Sequence, residues 1–81
     1  MEKIKIYGTT WCPDCFRAKQ VFDRLKIPYT WINIETDVQA LDYVLRVNHG
    51  MQSVPTIVFP DGSILVGPGN KELEKKLAGF R

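Results

Sequence analysis

The chain has no apolar run approaching the ~20 residues of a membrane-spanning helix. Its opening Met1-Glu2-Lys3-Ile4-Lys5 lacks the long apolar region of a secretory signal. A cytosolic protein with no membrane partner is therefore expected. Basic clusters are also missing. The 11 Lys and Arg against 9 Asp and Glu leave a net charge of only +2, and no basic stripe is interleaved with aromatics, so no nucleic-acid partner is expected. Histidine occurs once, at His49, and no second Cys-x-x-Cys accompanies Cys12 and Cys15, so one chain lacks the four ligands of a structural zinc site. Repeats, low-complexity tracts and linkers are absent too. The 81 residues suffice for one small domain, 1–81, with a modest core.

What is there is a pair of cysteines at a telling place. Trp11-Cys12-Pro13-Asp14-Cys15 follows the strand-like Lys3-Ile4-Lys5-Ile6-Tyr7 and precedes a segment with Ala18, Val21, Phe22 and Leu25 at helical spacing. Pro13 suits the first helical position, where its missing N–H has no helical partner to lose. The first sulfur should then sit over free amides at the positive end of a helix, where a thiolate is favoured. The second sulfur, one turn on and more shielded, is within reach to close a disulfide. Asp14 opposes a thiolate if its carboxylate lies near the sulfur, whereas Arg17 and Lys19 would favour one. Cytosolic thiols are kept reduced, and bridging neighbours within one turn removes far less unfolded-state freedom than the ~3 kcal/mol of a 15-residue loop. Stapling is thus a poor explanation for the pair. Cys12 as nucleophile and Cys15 as resolving thiol is the better one, the alternative being two inert buried cysteines. This reading requires Cys12 to be ionised and open to solvent.

The rest of the chain supplies a scaffold. Lys26-Ile27-Pro28 stops the first helix, and Tyr29–Ile34 is rich in β-branched and aromatic residues, as in a strand. Thr36 or Asp37 can cap a second helix that buries Val38, Leu41, Val44 and Leu45 and ends at Gly50 in a left-handed conformation. Thr56–Phe59 and Ser63–Val66 flank Pro60-Asp61-Gly62 as a hairpin, and a last helix from Asn70 to Ala78 buries Leu73 and Leu77. The order is β-α-β-α-β-β-α, with the first two strands parallel and the last two antiparallel.

That order, the Cys-x-x-Cys after the first strand, and Ser53-Val54-Pro55-Thr56 before the third together resemble the glutaredoxin branch of the thioredoxin fold, over nearly the whole chain. Within it, Val47-Asn48-His49-Gly50, Asp61-Gly62-Ser63 and Pro68 ahead of a lysine-rich helix are similar to the mycoredoxins. The resemblance implies an α/β thioredoxin-like fold, a four-stranded mixed sheet flanked by three helices, in a monomer. It implies a thiol–disulfide oxidoreductase that reduces protein disulfides or protein–small-thiol mixed disulfides. No cofactor would be bound. Glutathione, mycothiol or bacillithiol would serve as cosubstrate, and a small thiol or thioredoxin reductase would recycle the protein. The alternative within the redox class is a redoxin that takes electrons from thioredoxin reductase and passes them to ribonucleotide reductase. From other classes come an iron–sulfur carrier, which Pro13 should hinder, and a binding module without turnover.

The resemblance also implies a cis Val54–Pro55 bond facing Cys12, although X-Pro bonds are cis in only about 5–6% of cases. Val54 would then keep backbone groups free to pair with an incoming peptide, the competing view being strand punctuation by Pro55. Trp11 serves as an apolar wall beside the sulfur or as loop packing. Gly69 and Asn70 offer amides to a ligand carboxylate or merely start the last helix. Two departures stand out. Thr9 occupies the place of a lysine common in glutaredoxins, and Pro68-Gly69-Asn70-Lys71 replaces a Gly-Gly run that ends in Asp, putting a cation where an acid would hold a ligand ammonium. His49 is expected to be a helix-end residue and Gln52 a solvated one.

Overall fold

The computed structural model describes residues 3–80, so Met1, Glu2 and Arg81, the ends of the expected 1–81 domain, lie outside the described residues. Its elements are β1 (Ile4–Gly8), α1 (Pro13–Arg24), β2 (Tyr29–Asn33), α2 (Val38–Val47), β3 (Thr56–Val58), β4 (Ile64–Val66) and α3 (Asn70–Ala78). The sheet order is β2-β1-β3-β4; β1 pairs in parallel with β2 and antiparallel with β3, and β3 pairs antiparallel with β4. The expected order and strand directions are all present. None of the described helices is long and apolar enough to cross a membrane.

Two apolar layers clamp this sheet, because successive side chains on a strand point to opposite faces. Ile4 and Ile6 of β1 and Ile57 of β3 face α1 and α3, where they meet Ala18, Val21, Phe22, Leu73 and Leu77. Tyr7 and Val58 face α2, where they meet Ala40, Val44 and Tyr43. β1 is thus central and covered on both sides, which leaves its C-terminal end at Gly8 as a fixed platform for the cysteine loop. An ion pair between Arg24 and Glu74 joins α1 to α3 at the surface.

Local chemistry sets the helix ends. The Asp37 carboxylate, rather than Thr36, caps α2 by accepting the Ala40 N–H at 3.1 Å. α1 ends where Lys26 turns left-handed (φ 58°) and Ile27 N–H reaches back to the Phe22 carbonyl at 3.0 Å. At the end of α2 the left-handed stop spans two residues, His49 (φ 57°) and Gly50 (φ 88°), and His49 is an exposed helix-end residue. The expectation for Val38 fails, since it is 82% exposed. The buried stripe of α2 runs through Ala40 and Val44, and at 100° per residue Val38 lies about 120° round the helix from Val44. Leu41 and Leu45 sit at the margins of that stripe, half-buried.

Candidate active site

Gly8 ends β1 between two obstacles. A Cβ at this position would stand 2.6 Å from Cys15 Sγ and 2.7 and 2.9 Å from ring carbons of Trp31, so only glycine lets the strand end pass under the cysteine loop. Thr9 and Thr10 then turn the chain, and Cys12 becomes the N-cap of α1, with Pro13 in the first turn.

Cys12 Sγ accepts the backbone N–H of Cys15 at 3.1 Å. A sulfur in the N-cap position takes up one of the free amides of the first turn, and the helix dipole favours negative charge there. Across from it, the Cys12 thiol donates to the carbonyl of Val54 at 3.9 Å, and Val54–Pro55 is the cis peptide bond. Val54 takes part in no loop or turn backbone hydrogen bond among the described residues, while the Pro55 carbonyl accepts from Gly67 N–H. Cys12, Cys15, Val54 and Pro55 are therefore brought together from two distant stretches of chain.

Cys12 is less open than the sequence reading required. The residue is 7% exposed, because its side chain folds back over the α1 N-terminus and lies against Val54. Access runs through an open cleft of about 140 Å³ lined by Thr9, Thr10, Phe16, Lys19, Trp31 and both cysteines. Cys15 is deeper, at 1% exposure. Burial, then its contact with Cys12, pushes the Cys15 thiol up to about 12, against the opposing effect of the Thr9 amide. The pair is thus asymmetric, with one sulfur at a helix N-terminus beside the Val54 carbonyl and the other buried and protonated at neutral pH. The Thr9 hydroxyl in the same cleft is buried with no hydrogen-bond partner among the described residues.

The charged neighbours each have a partner of their own. Asp14 is paired with Arg17 at 3.0 Å on the exposed face of α1, so the two charges offset one another there. Lys19 places its ammonium 4.1 Å from the centre of the Trp31 ring, closing one side of the cleft. Trp11 is exposed, and its indole N–H is bound by Glu35. Gly69 and Asn70 do start α3, with Gly69 as an N-cap that has no side-chain cap bond. Asn70, however, lines a separate groove with Arg17, Gln20, Val21, Asp23 and Arg24 rather than the cysteine cleft. Gln52 is exposed. Among the described residues no cluster of three or more His, Cys, Asp or Glu could hold a metal ion.

Sequence reasoning missed the parts that hold the Val54 loop. The Thr56 hydroxyl is fully buried; it donates to the Ser53 carbonyl at 2.8 Å and accepts from Asn48 Nδ2 at 3.1 Å. Asn48 also donates to the Val44 carbonyl at 2.8 Å, so the end of α2 is tied to the loop. Thr56→Val keeps the shape but takes one hydrogen bond from each partner, and should destabilise the protein by about 1–3 kcal/mol. Urea unfolding reads the loss, and Thr56→Ser should recover most of it.

Comparison with known proteins follows the same lines. A family model described as Glutaredoxin matches residues 4–64. A Mycobacterium tuberculosis protein that carries a glutaredoxin name is 39% identical over 74 residues, covering 91% of this chain and 88% of the relative. Mycoredoxin 1 of Corynebacterium glutamicum is 32% identical over 77 residues, covering 95% of both. Among solved structures, the thioredoxin-like protein BC3987 superposes with a TM-score of 0.78 at 26% identity, covering 90% of this chain and 97% of that one.

Proposed function

Because this chain belongs to the glutaredoxin family, whose members are generally thiol–disulfide oxidoreductases, we propose that residues 1–81 act as one cytosolic, monomeric unit that reduces protein–small-thiol mixed disulfides. The observation that supports this reading best is the Cys12 sulfur, held by the Cys15 amide at 3.1 Å and facing the Val54 carbonyl. Cys12 thiolate attacks the small-thiol sulfur of the mixed disulfide. The protein leaves as a thiolate and takes up a proton, and a Cys12–small-thiol disulfide remains. A second small thiol then attacks that sulfur, releasing Cys12 as thiolate and a symmetrical small disulfide. Each exchange forms one S–S bond and breaks one, and net reduction of the substrate oxidises one free small thiol, the other half of the symmetrical disulfide coming from the substrate.

The alternative second step uses Cys15, closing a Cys12–Cys15 bridge and expelling the partner. Burial holds the Cys15 proton tightly, so this route needs that proton removed first. The small-thiol route is therefore the faster one for small adducts. The internal bridge serves protein disulfides, where a bulky partner excludes a second thiol. Val54 offers a backbone edge to the substrate segment, and Trp11 and Pro13 flank the sulfur. Asn70, in a groove apart from the cysteine cleft, and Gly69 before it are assigned no contact with the small thiol. The relationship to a mycoredoxin directs attention to mycothiol, with bacillithiol and glutathione as the other candidates.

The test is mass spectrometry of a Cys15→Ser variant recovered from its native host. A single small-thiol adduct on Cys12 is expected, and its mass names the cosubstrate. If no adduct forms and only thioredoxin reductase with NADPH recycles the protein, the small-thiol reading is wrong and the redoxin alternative replaces it.

A further inference from the structure

Glu35 lies in the turn between β2 and α2, remote in sequence from the cysteines, yet its carboxylate reaches the loop that carries them. Oε1 accepts the Thr10 N–H at 3.2 Å and the Thr10 hydroxyl at 3.1 Å, and Oε2 accepts the Trp11 indole N–H at 3.0 Å. The position of Glu35 is itself set. Its N–H donates to Asn33 Oδ1 at 2.9 Å, and Ile34 N–H donates to the Gly8 carbonyl at 3.0 Å, extending the β1–β2 pairing into the turn. Both ends of the clamp are thus referred to the same strand end, Gly8.

We propose that Glu35 is the positioning residue for Trp11, holding the indole as a preset docking wall beside Cys12 and so setting affinity for protein disulfides. Trp11 is 66% exposed, so water could satisfy its N–H without any help from the protein. A charged acceptor therefore adds little solvation there; what it adds is order, through a charge-assisted bond that fixes the ring. An ordered, solvent-facing indole on the residue just before the reactive cysteine spares an incoming partner the entropy of immobilising it, and aromatic anchors of this kind dominate protein docking. A small disulfide needs no such wall. The inference rests on the proposed oxidoreductase activity and adds a determinant of which disulfides are taken.

The test compares insulin as protein disulfide with 2-hydroxyethyl disulfide as small one, using the wild type, Glu35→Ala, Trp11→Phe and the double variant. Glu35→Ala should raise KM for insulin about two- to tenfold with kcat held, and leave the small disulfide unaffected. The double variant should be no worse on insulin than Trp11→Phe alone, since Glu35 acts through the indole. In a Trp31→Phe background, Glu35→Ala should also lower the fluorescence anisotropy of Trp11. If Glu35→Ala proves unstable, Glu35→Gln answers the same question. With its carbonyl on Thr10, its amide nitrogen faces the indole and cannot accept from it, so the same KM rise is expected. Additive losses in the double variant, or equal losses on both substrates through kcat, would overturn the proposal. A wild type that reduces neither substrate would instead sink the oxidoreductase reading beneath it.

Discussion

Cys12→Ser is expected to abolish reduction of a mixed disulfide, by on the order of 10³-fold or more, because a hydroxyl in the same N-cap position forms no disulfide with the substrate. Cys15→Ser should behave quite differently. It leaves Cys12 at the α1 N-terminus, and with a small thiol as reductant it should keep most of the wild-type rate on small adducts. It should fail only where an internal bridge is needed, on protein disulfides in the absence of that thiol. Alkylation followed by peptide mapping gives an independent check. At neutral pH a small alkylating reagent should label Cys12 and leave Cys15 unmodified, since Cys15 is 1% exposed and its thiol is pushed up to about 12, chiefly by burial. Labelling of Cys15 should begin only under strongly alkaline conditions. The sign of the stability effect follows from the same shift. A thiol that ionises less readily folded than unfolded stabilises the fold below its ordinary range, and that contribution is lost as pH rises toward its folded value. Equal labelling of the two cysteines at neutral pH would remove the asymmetry on which the mechanism depends.

The second large effect is expected at a residue that carries no side chain at all. Gly8→Ala adds one methyl where Cys15 Sγ would be 2.6 Å away and Trp31 2.7 Å away. Neither neighbour yields easily. Cys15 is fixed on the first turn of α1, and Trp31, on β2, carries the Lys19 ammonium over its ring. Overpacking of this kind destabilises by about 1–3 kcal/mol, read as a lower urea midpoint at unchanged slope. It should also displace Cys15 relative to Cys12, so that less of the Cys12–Cys15 bridge forms in a fixed redox buffer. Gly79→Ala is the control, because its nearest contact would be an ordinary 3.6 Å and the change should stay within about 0.5 kcal/mol. A Gly8→Ala protein as stable and as readily oxidised as the wild type would show that the strand end is not the constraint proposed here.

Acid should loosen the Trp11 clamp, but only at low pH. The Thr10 N–H, followed by the Thr10 hydroxyl and the indole N–H, holds the Glu35 carboxyl below its ordinary range despite some opposing desolvation. A carboxylate depressed in the folded state supports the loop above its unfolded pKa and loses that support as pH falls through the folded value. At neutral pH the clamp is fully charged.

Much of the scaffold was legible in the sequence because it depends on local rules. Alternation in Ile4–Tyr7, helical spacing from Ala18 to Leu25, and the Pro60-Asp61-Gly62 turn each depend on residues a few positions apart, and all are present. The Cys12–Cys15 pairing at a helix start is local as well, and its geometry follows from Pro13 in the first turn. The cis Val54–Pro55 bond was reached by family resemblance alone, since spacing by itself favours trans. Val38 was misplaced because a helical period gives a face but not its phase. Which side of α2 is buried was decided by where Tyr7 and Val58 meet it.

The remaining features come from segments that only folding brings together. Glu35 reaches Trp11 across 24 positions, Thr56 is held by Asn48 across 8, and Gly8 is confined by Trp31 of the neighbouring strand. Nothing in an Asn33-Ile34-Glu35-Thr36 turn marks its carboxylate for an indole, because that contact exists only once β2 lies in parallel register beside β1. By itself, then, the sequence determined the order of elements and the residues able to carry thiol chemistry, since both depend on short-range pattern and side-chain type. Only the tertiary structure decided how far each sulfur is buried, which carbonyl the Cys12 thiol meets and which carboxylate holds the Trp11 indole. Those are distances between parts of the chain that share no local pattern.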